Sequence, residues 1–150
     1  MSRKIRPILG LAAAGLVMGT ALTAAPAQAR PAETVLLGAN EVTAQGVPNQ
    51  GDLDGSGTFT AKIKPARGTL CYTLTATGIA PATAAHVHVG PATTTGPVVI
   101  ALQAPTEGSV TACATASKEL LLNIKRNPGQ YYVNAHNAEF PAGALRGQLG

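Results

Sequence analysis

Residues 58–77 alternate apolar and polar side chains in two runs, with Pro65-Ala66-Arg67-Gly68 between them. In the first run Phe59, Ala61 and Ile63 fall on one face, opposite Thr58, Thr60, Lys62 and Lys64. In the second, Leu70, Tyr72 and Leu74 oppose Cys71, Thr73 and Thr75. A repeat of two is the signature of a strand with one buried and one wet face, and it does not fit a helix. Two such runs about a Pro/Gly turn make a β-hairpin, so the chain is built on antiparallel sheet.

The rest of the chain has the same punctuation. Strands are expected at Thr34–Ala39, Ala82–Val89, Val98–Leu102, Ser109–Ala114, Tyr131–His136 and Ala144–Leu149. Loops rich in Gly, Asn, Asp, Pro and Thr fill Asn40–Gly57 and Pro91–Pro97. Val98–Leu102 is apolar throughout, which predicts a central strand buried on both faces. Of Tyr131 and Tyr132, on alternate faces, at least one is expected in the core. One helix is expected over 117–127. Ser117 can cap it, Leu120, Leu121 and Ile124 form its apolar stripe, and Asn127-Pro128-Gly129 stops it. No internal repeat is visible. The fold class is therefore all-β: a Greek-key β-sandwich of about eight short antiparallel strands with one short helix.

Residues 1–29 read as an export signal. Arg3, Lys4 and Arg6 precede an apolar run from Ile8 to Ala25, and Ala27-Gln28-Ala29 is a small-x-small cleavage site. The expected mature chain, 30–150, is one domain, secreted, with no membrane span left after cleavage. Three of the 11 basic residues lie in the signal, leaving 8 basic against 7 acidic. That balance, with no Lys/Arg run and no tryptophan, gives no footing for nucleic acid. Cys71 and Cys113 stand 42 positions apart. In an exported chain a disulfide is the default; a thiolate metal site is the alternative, weakened by the lack of a C-x-x-C pair.

All three histidines fall in two short segments, Ala84-Ala85-His86-Val87-His88-Val89-Gly90 and Tyr131-Tyr132-Val133-Asn134-Ala135-His136. On a strand His86 and His88 share a face, with Cα atoms roughly 6.6 Å apart. A third histidine from another strand would complete a three-imidazole set that suits copper, or zinc with an open position. Asn134, Asn137 and Glu139 are candidates to orient the imidazoles, and Arg146 is a candidate anion-attracting group. The plainer reading is that the histidines are packed polar residues hydrogen-bonded to backbone.

Other motifs carry less. Asp52, Asp54 and Ser56 make half of a calcium loop without its bidentate Glu, and a solvated turn fits better. Gly55-x-Gly57 is followed by no helix and is no phosphate loop. No Gly-x-Ser-x-Gly elbow is present.

Several blocks carry a resemblance. They are Leu37-Gly38-Ala39-Asn40-Glu41-Val42, Gly68–Thr75, Ala84–Ala92, Gly96–Leu102 and Tyr131–Leu149. In these the chain resembles the CHRD domain family, named after chordin and common in secreted bacterial proteins. The resemblance implies an extracellular domain; in chordin the domain belongs to a growth-factor antagonist, and in bacteria its role is mostly unknown. The family's usual Pro-Pro after Asn-Glu-Val is replaced here by Thr43-Ala44. A weaker resemblance is to copper–zinc superoxide dismutases, sandwiches with His-x-His on one strand. It implies copper at His86, His88 and His136 with Arg146 as a catalytic aid, but the zinc-loop ligands of that family have no counterpart here. The expected function is a non-enzymatic secreted protein binding a transition metal, copper before zinc. The alternatives are a dismutase-like redox enzyme and a metal-free module that docks an extracellular or cell-surface protein.

Overall fold

The computed structural model describes residues 32–150; the expected export signal and its expected cleavage site lie outside the described residues. Eight strands and one α-helix follow in order. They are β1 (Ala32–Leu37), β2 (Ser56–Lys64), β3 (Thr69–Thr77), β4 (Ala84–Val89), β5 (Val98–Leu102), β6 (Ser109–Thr115), α1 (Lys118–Arg126), β7 (Tyr131–His136) and β8 (Leu145–Gln148). All pairings are antiparallel, in the order β5-β4-β7-β8-β1-β2-β3-β6.

The fold class is the one the alternation predicts. The halves β5-β4-β7-β8 and β1-β2-β3-β6 meet through a single register pair, Leu37 with Arg146. The sheet curls so that its edges β5 and β6 touch without a ladder between them. Both halves contribute to one core: Leu36, Phe59, Leu70, Tyr72 and Leu74 from one, Val87, Ile100, Tyr131, Val133 and Leu145 from the other. The chain crosses from β3 to β4 and β5, then returns with β6 beside β3, a Greek-key path. Leu121 and Ile124 of α1 join the core, and the Ser117 side chain caps the helix by accepting from the Leu120 N–H. The Cys71–Cys113 disulfide ties β3 to β6 at directly opposed positions.

Two expectations need correction. Val98–Leu102 is not a central strand buried on both faces. As β5 it is a sheet edge, with Val98 half-exposed and only Ile100 buried, because its apolar run faces the core on one side alone. The first strand ends at Leu37, and Gly38–Asn40 form a 3-10 turn. Gly38 packs directly against the Asp52 carbonyl, where any β-carbon would collide, and this anchors the loop 41–55 over the sheet.

Candidate metal centre

The β4-β7-β8 segment has an inner face in the core and an outer face that is polar. Register places His86 opposite Asn134, His88 opposite Tyr132, and Ala84 opposite His136. On the other side of β7, Arg146 faces Asn134 and Gln148 faces Tyr132. The period of two along β4 and β7 therefore gathers His86, His88, Tyr132, Asn134 and His136 on one surface. A bulge in β5 sits opposite this point: Val87 pairs with Ile100 but His88 with Val98. Bulges re-aim side chains where they occur.

The three histidines converge as expected. One ring nitrogen from each lies within 4.8 Å of the others. His86 Nδ1 and His136 Nε2 are 3.1 Å apart, hydrogen-bond distance for an N–H on His86, and the same separation is open to two nitrogens that share an ion at about 2.0–2.1 Å each. The ring centroids of His86 lie 5.6 Å from His88 and 5.0 Å from His136. His88 is buried, and the other two are partly open to solvent. Burial pushes His86 below the ordinary histidine range, and the neighbouring His88 adds to this. Burial does the same to His136, against the raising effect of its bond to Pro141. Neutral imidazoles are the form that a metal needs.

The backbone fixes which nitrogen faces inward. His88 Nδ1–H donates to the Gly96 carbonyl at 2.8 Å, and His136 Nδ1–H donates to the Pro141 carbonyl at 3.0 Å. A neutral imidazole has one N–H, so each Nε2 is left with a lone pair. Both Nε2 atoms point at the same place, each 3.0 Å from Asn134 Oδ1.

Of the residues expected to orient the ligands, Asn134 lies against His88 and His136, and the other two sit elsewhere. Asn137 Oδ1 accepts from the Phe140 N–H at 2.7 Å and shapes the turn after β7. Glu139 is exposed in that turn and has no hydrogen bond to a histidine. Arg146 is 1% exposed, and one guanidinium nitrogen donates to the Pro91 and Thr94 carbonyls at 2.7 and 2.9 Å. Its guanidinium carbon lies 3.5 Å from the Tyr132 ring centroid, and His88 stacks on that ring at 4.7 Å and 9°. Two groups that close to one ring fit only on opposite faces, so Tyr132 stands between Arg146 and the His88 imidazole. Arg146 and Gln148 instead line a cleft of about 370 Å³, with Asn40, Val42 and Thr93, that no histidine lines.

The sequence did not single out Tyr132 or Glu41 for the site. The Tyr132 hydroxyl accepts from the Gly96 N–H at 3.0 Å, holding the loop whose carbonyl locks His88. Glu41 is buried, with Oε1 lacking a partner. Burial pushes its carboxyl up to about 7, against the lowering effects of the Arg146 charge and of Asn134. A side chain at Gly143 would strike this carboxylate, so glycine there leaves it room.

A family description, the CHRD domain, matches residues 32–149. The chain belongs to the CHRD domain family. Neither a curated protein nor a solved structure matches it, so the dismutase likeness rests on His86, His88, His136 and Arg146 alone. No helix among the described residues is long and apolar enough to cross a membrane.

Proposed function

We propose that this CHRD domain is a secreted metal-binding protein that holds one transition-metal ion, copper before zinc, on His86, His88 and His136. The observation that carries the reading is the pair of backbone locks. With Nδ1–H of His88 and His136 committed to carbonyls, two Nε2 lone pairs face a third imidazole within 4.8 Å and an amide oxygen within 3.0 Å. His86 Nδ1–H can donate to His136 Nε2 at 3.1 Å, which leaves the His88 Nε2 lone pair facing the Asn134 oxygen, two acceptors that a cation between them relieves. A metal-bound histidine commonly donates its other N–H to a carbonyl in this way. An all-nitrogen set selects copper or zinc over harder cations. The disulfide and the CHRD match support an extracellular setting, and the leader-like residues 1–29 support export. A role in metal handling outside the cell follows. Arg146, on the far face of Tyr132, does not favour the redox-enzyme reading.

The test is a copper and zinc titration of the purified protein beside the His86→Ala/His88→Ala/His136→Ala variant. One-to-one binding lost in the variant is the expected result. Equal affinity in both proteins would return the histidines to a packing role and leave a metal-free interaction module.

A further inference from the structure

Two side chains of β8 end in polar atoms that nothing satisfies. Arg146 is 1% exposed, and its Nη1 has no hydrogen-bond partner. Gln148 Oε1 is buried and has none either. The other ends of both groups are held. Arg146 Nη2 donates to the Pro91 and Thr94 carbonyls, and Gln148 Nε2 donates to the Gly90 and Gly129 carbonyls at 2.8 and 2.9 Å. The Gln148 amide cannot turn over, because Oε1 would then meet two carbonyl acceptors. Both residues line the cleft of about 370 Å³. Ala92 and Thr93 line it too, and they lie between the two carbonyls that hold the guanidinium. The spare N–H groups of a buried cation and a spare amide oxygen are therefore fixed at one cleft, and groups of this kind are costly to leave unpaired.

We infer that this cleft binds the carboxylate end of an N-acylated amino acid, the group that also ends a peptide chain. The carboxylate accepts from Arg146 Nη1, and the amide N–H donates to Gln148 Oε1. Arg146 and Gln148 are two apart on β8 and share a face, so one ligand serves both. A charged donor beside a neutral acceptor selects a ligand that carries an anion and an N–H together. The bond to the guanidinium is charge-assisted and supplies most of the affinity. Inorganic phosphate fits less well. It is rich in acceptors, which the Gln148 oxygen repels, and no lysine lines the cleft to share its second charge. Ala39, Val42, Pro48 and Ala92 give the cleft apolar walls, which suit a small apolar side chain on the ligand. No histidine lines the cleft, and Tyr132 stands between Arg146 and His88, so the inference does not rest on the metal-site reading.

The experiment is a nuclear magnetic resonance titration of the whole protein at neutral pH, followed at the Ala92 and Thr93 backbone amides and the Gln148 side-chain amide. The probes are N-acetylalanine, N-acetylalaninamide, acetate and inorganic phosphate. The expected result is that N-acetylalanine shifts these signals saturably at millimolar concentration. The carboxamide lacks the anion and acetate lacks the N–H, so each should bind at least about tenfold more weakly. Ala92→Trp, at an exposed position of the cleft wall, should abolish the shifts, and Arg146→Lys, which keeps the charge but not the planar fork, should weaken them. The comparison of probes on the wild type stands even if a variant folds poorly. An acetylated tripeptide ending in alanine separates the two sources of the ligand. Binding at least as tight as N-acetylalanine assigns the cleft to peptide C-termini, and weaker binding assigns it to free acylated amino acids. Equal binding of N-acetylalanine and its carboxamide, tighter binding of phosphate, an unchanged response in Ala92→Trp, or no saturable shift with N-acetylalanine would each overturn the inference.

Discussion

At the residue scale, the histidine triad could be read from the chain because strand geometry does the work: positions two apart share a face, whatever packs around them. The supports could not. A carbonyl such as that of Gly96 or Pro141 has no side-chain signature, and Glu41 reaches the site from 93 positions before Asn134. Asn137 and Glu139 were misleading for the opposite reason. They follow His136 closely in sequence, but β7 ends at His136 and the turn carries them off the face. Glu41 also makes a stability prediction. Its carboxyl titrates at about 7 in the folded chain against an ordinary 4.5. Between those values the folded chain keeps a proton that the unfolded chain has lost, so stability falls as pH rises from 4.5 to 7. The full effect is roughly 3 kcal/mol. Urea denaturation over this range should show Glu41→Gln gaining on the wild type by about that amount as pH rises; a constant gap would contradict it. His86 and His136, held below their ordinary range, act in the other direction in both proteins, since the unfolded chain takes up protons first as pH falls.

At the element scale, alternation and caps located β2, β3, α1 and β7 to within a residue or two, because each is decided by local pattern. The strand Val98–Leu102 shows where local pattern stops. A short apolar run does not say whether its strand is central or at an edge, since that depends on partners elsewhere in the chain. Here β5 ends the sheet beside β4, and its bulge lies opposite His88. The pairing of β3 with β6 carries the disulfide, which closes a loop of 42 positions. Reducing it should lower unfolding free energy by roughly 3–4 kcal/mol, measured by urea denaturation with and without reductant. An unchanged midpoint would mean that β3 and β6 hold together without the bond.

At the scale of the whole molecule, one sheet does two jobs on opposite faces. The inner face supplies the core that holds β4 and β7 in register, and the outer face presents the imidazoles at the spacing that this register dictates. The fold class was legible because one period of two recurs along the chain. The covering of the outer face by the loops 41–55 and 90–97 was not, since these contacts are made by backbone groups far apart in sequence. The central claim is that three imidazoles meet on one ion, with His88 and His136 bound through Nε2. The most direct measurement is pulsed electron paramagnetic resonance of the copper(II)-loaded protein, which detects the remote, protonated nitrogen of each coordinated imidazole. The account predicts three coupled imidazoles, falling to two in His88→Ala. Coupling to one imidazole or none in the wild type would contradict it.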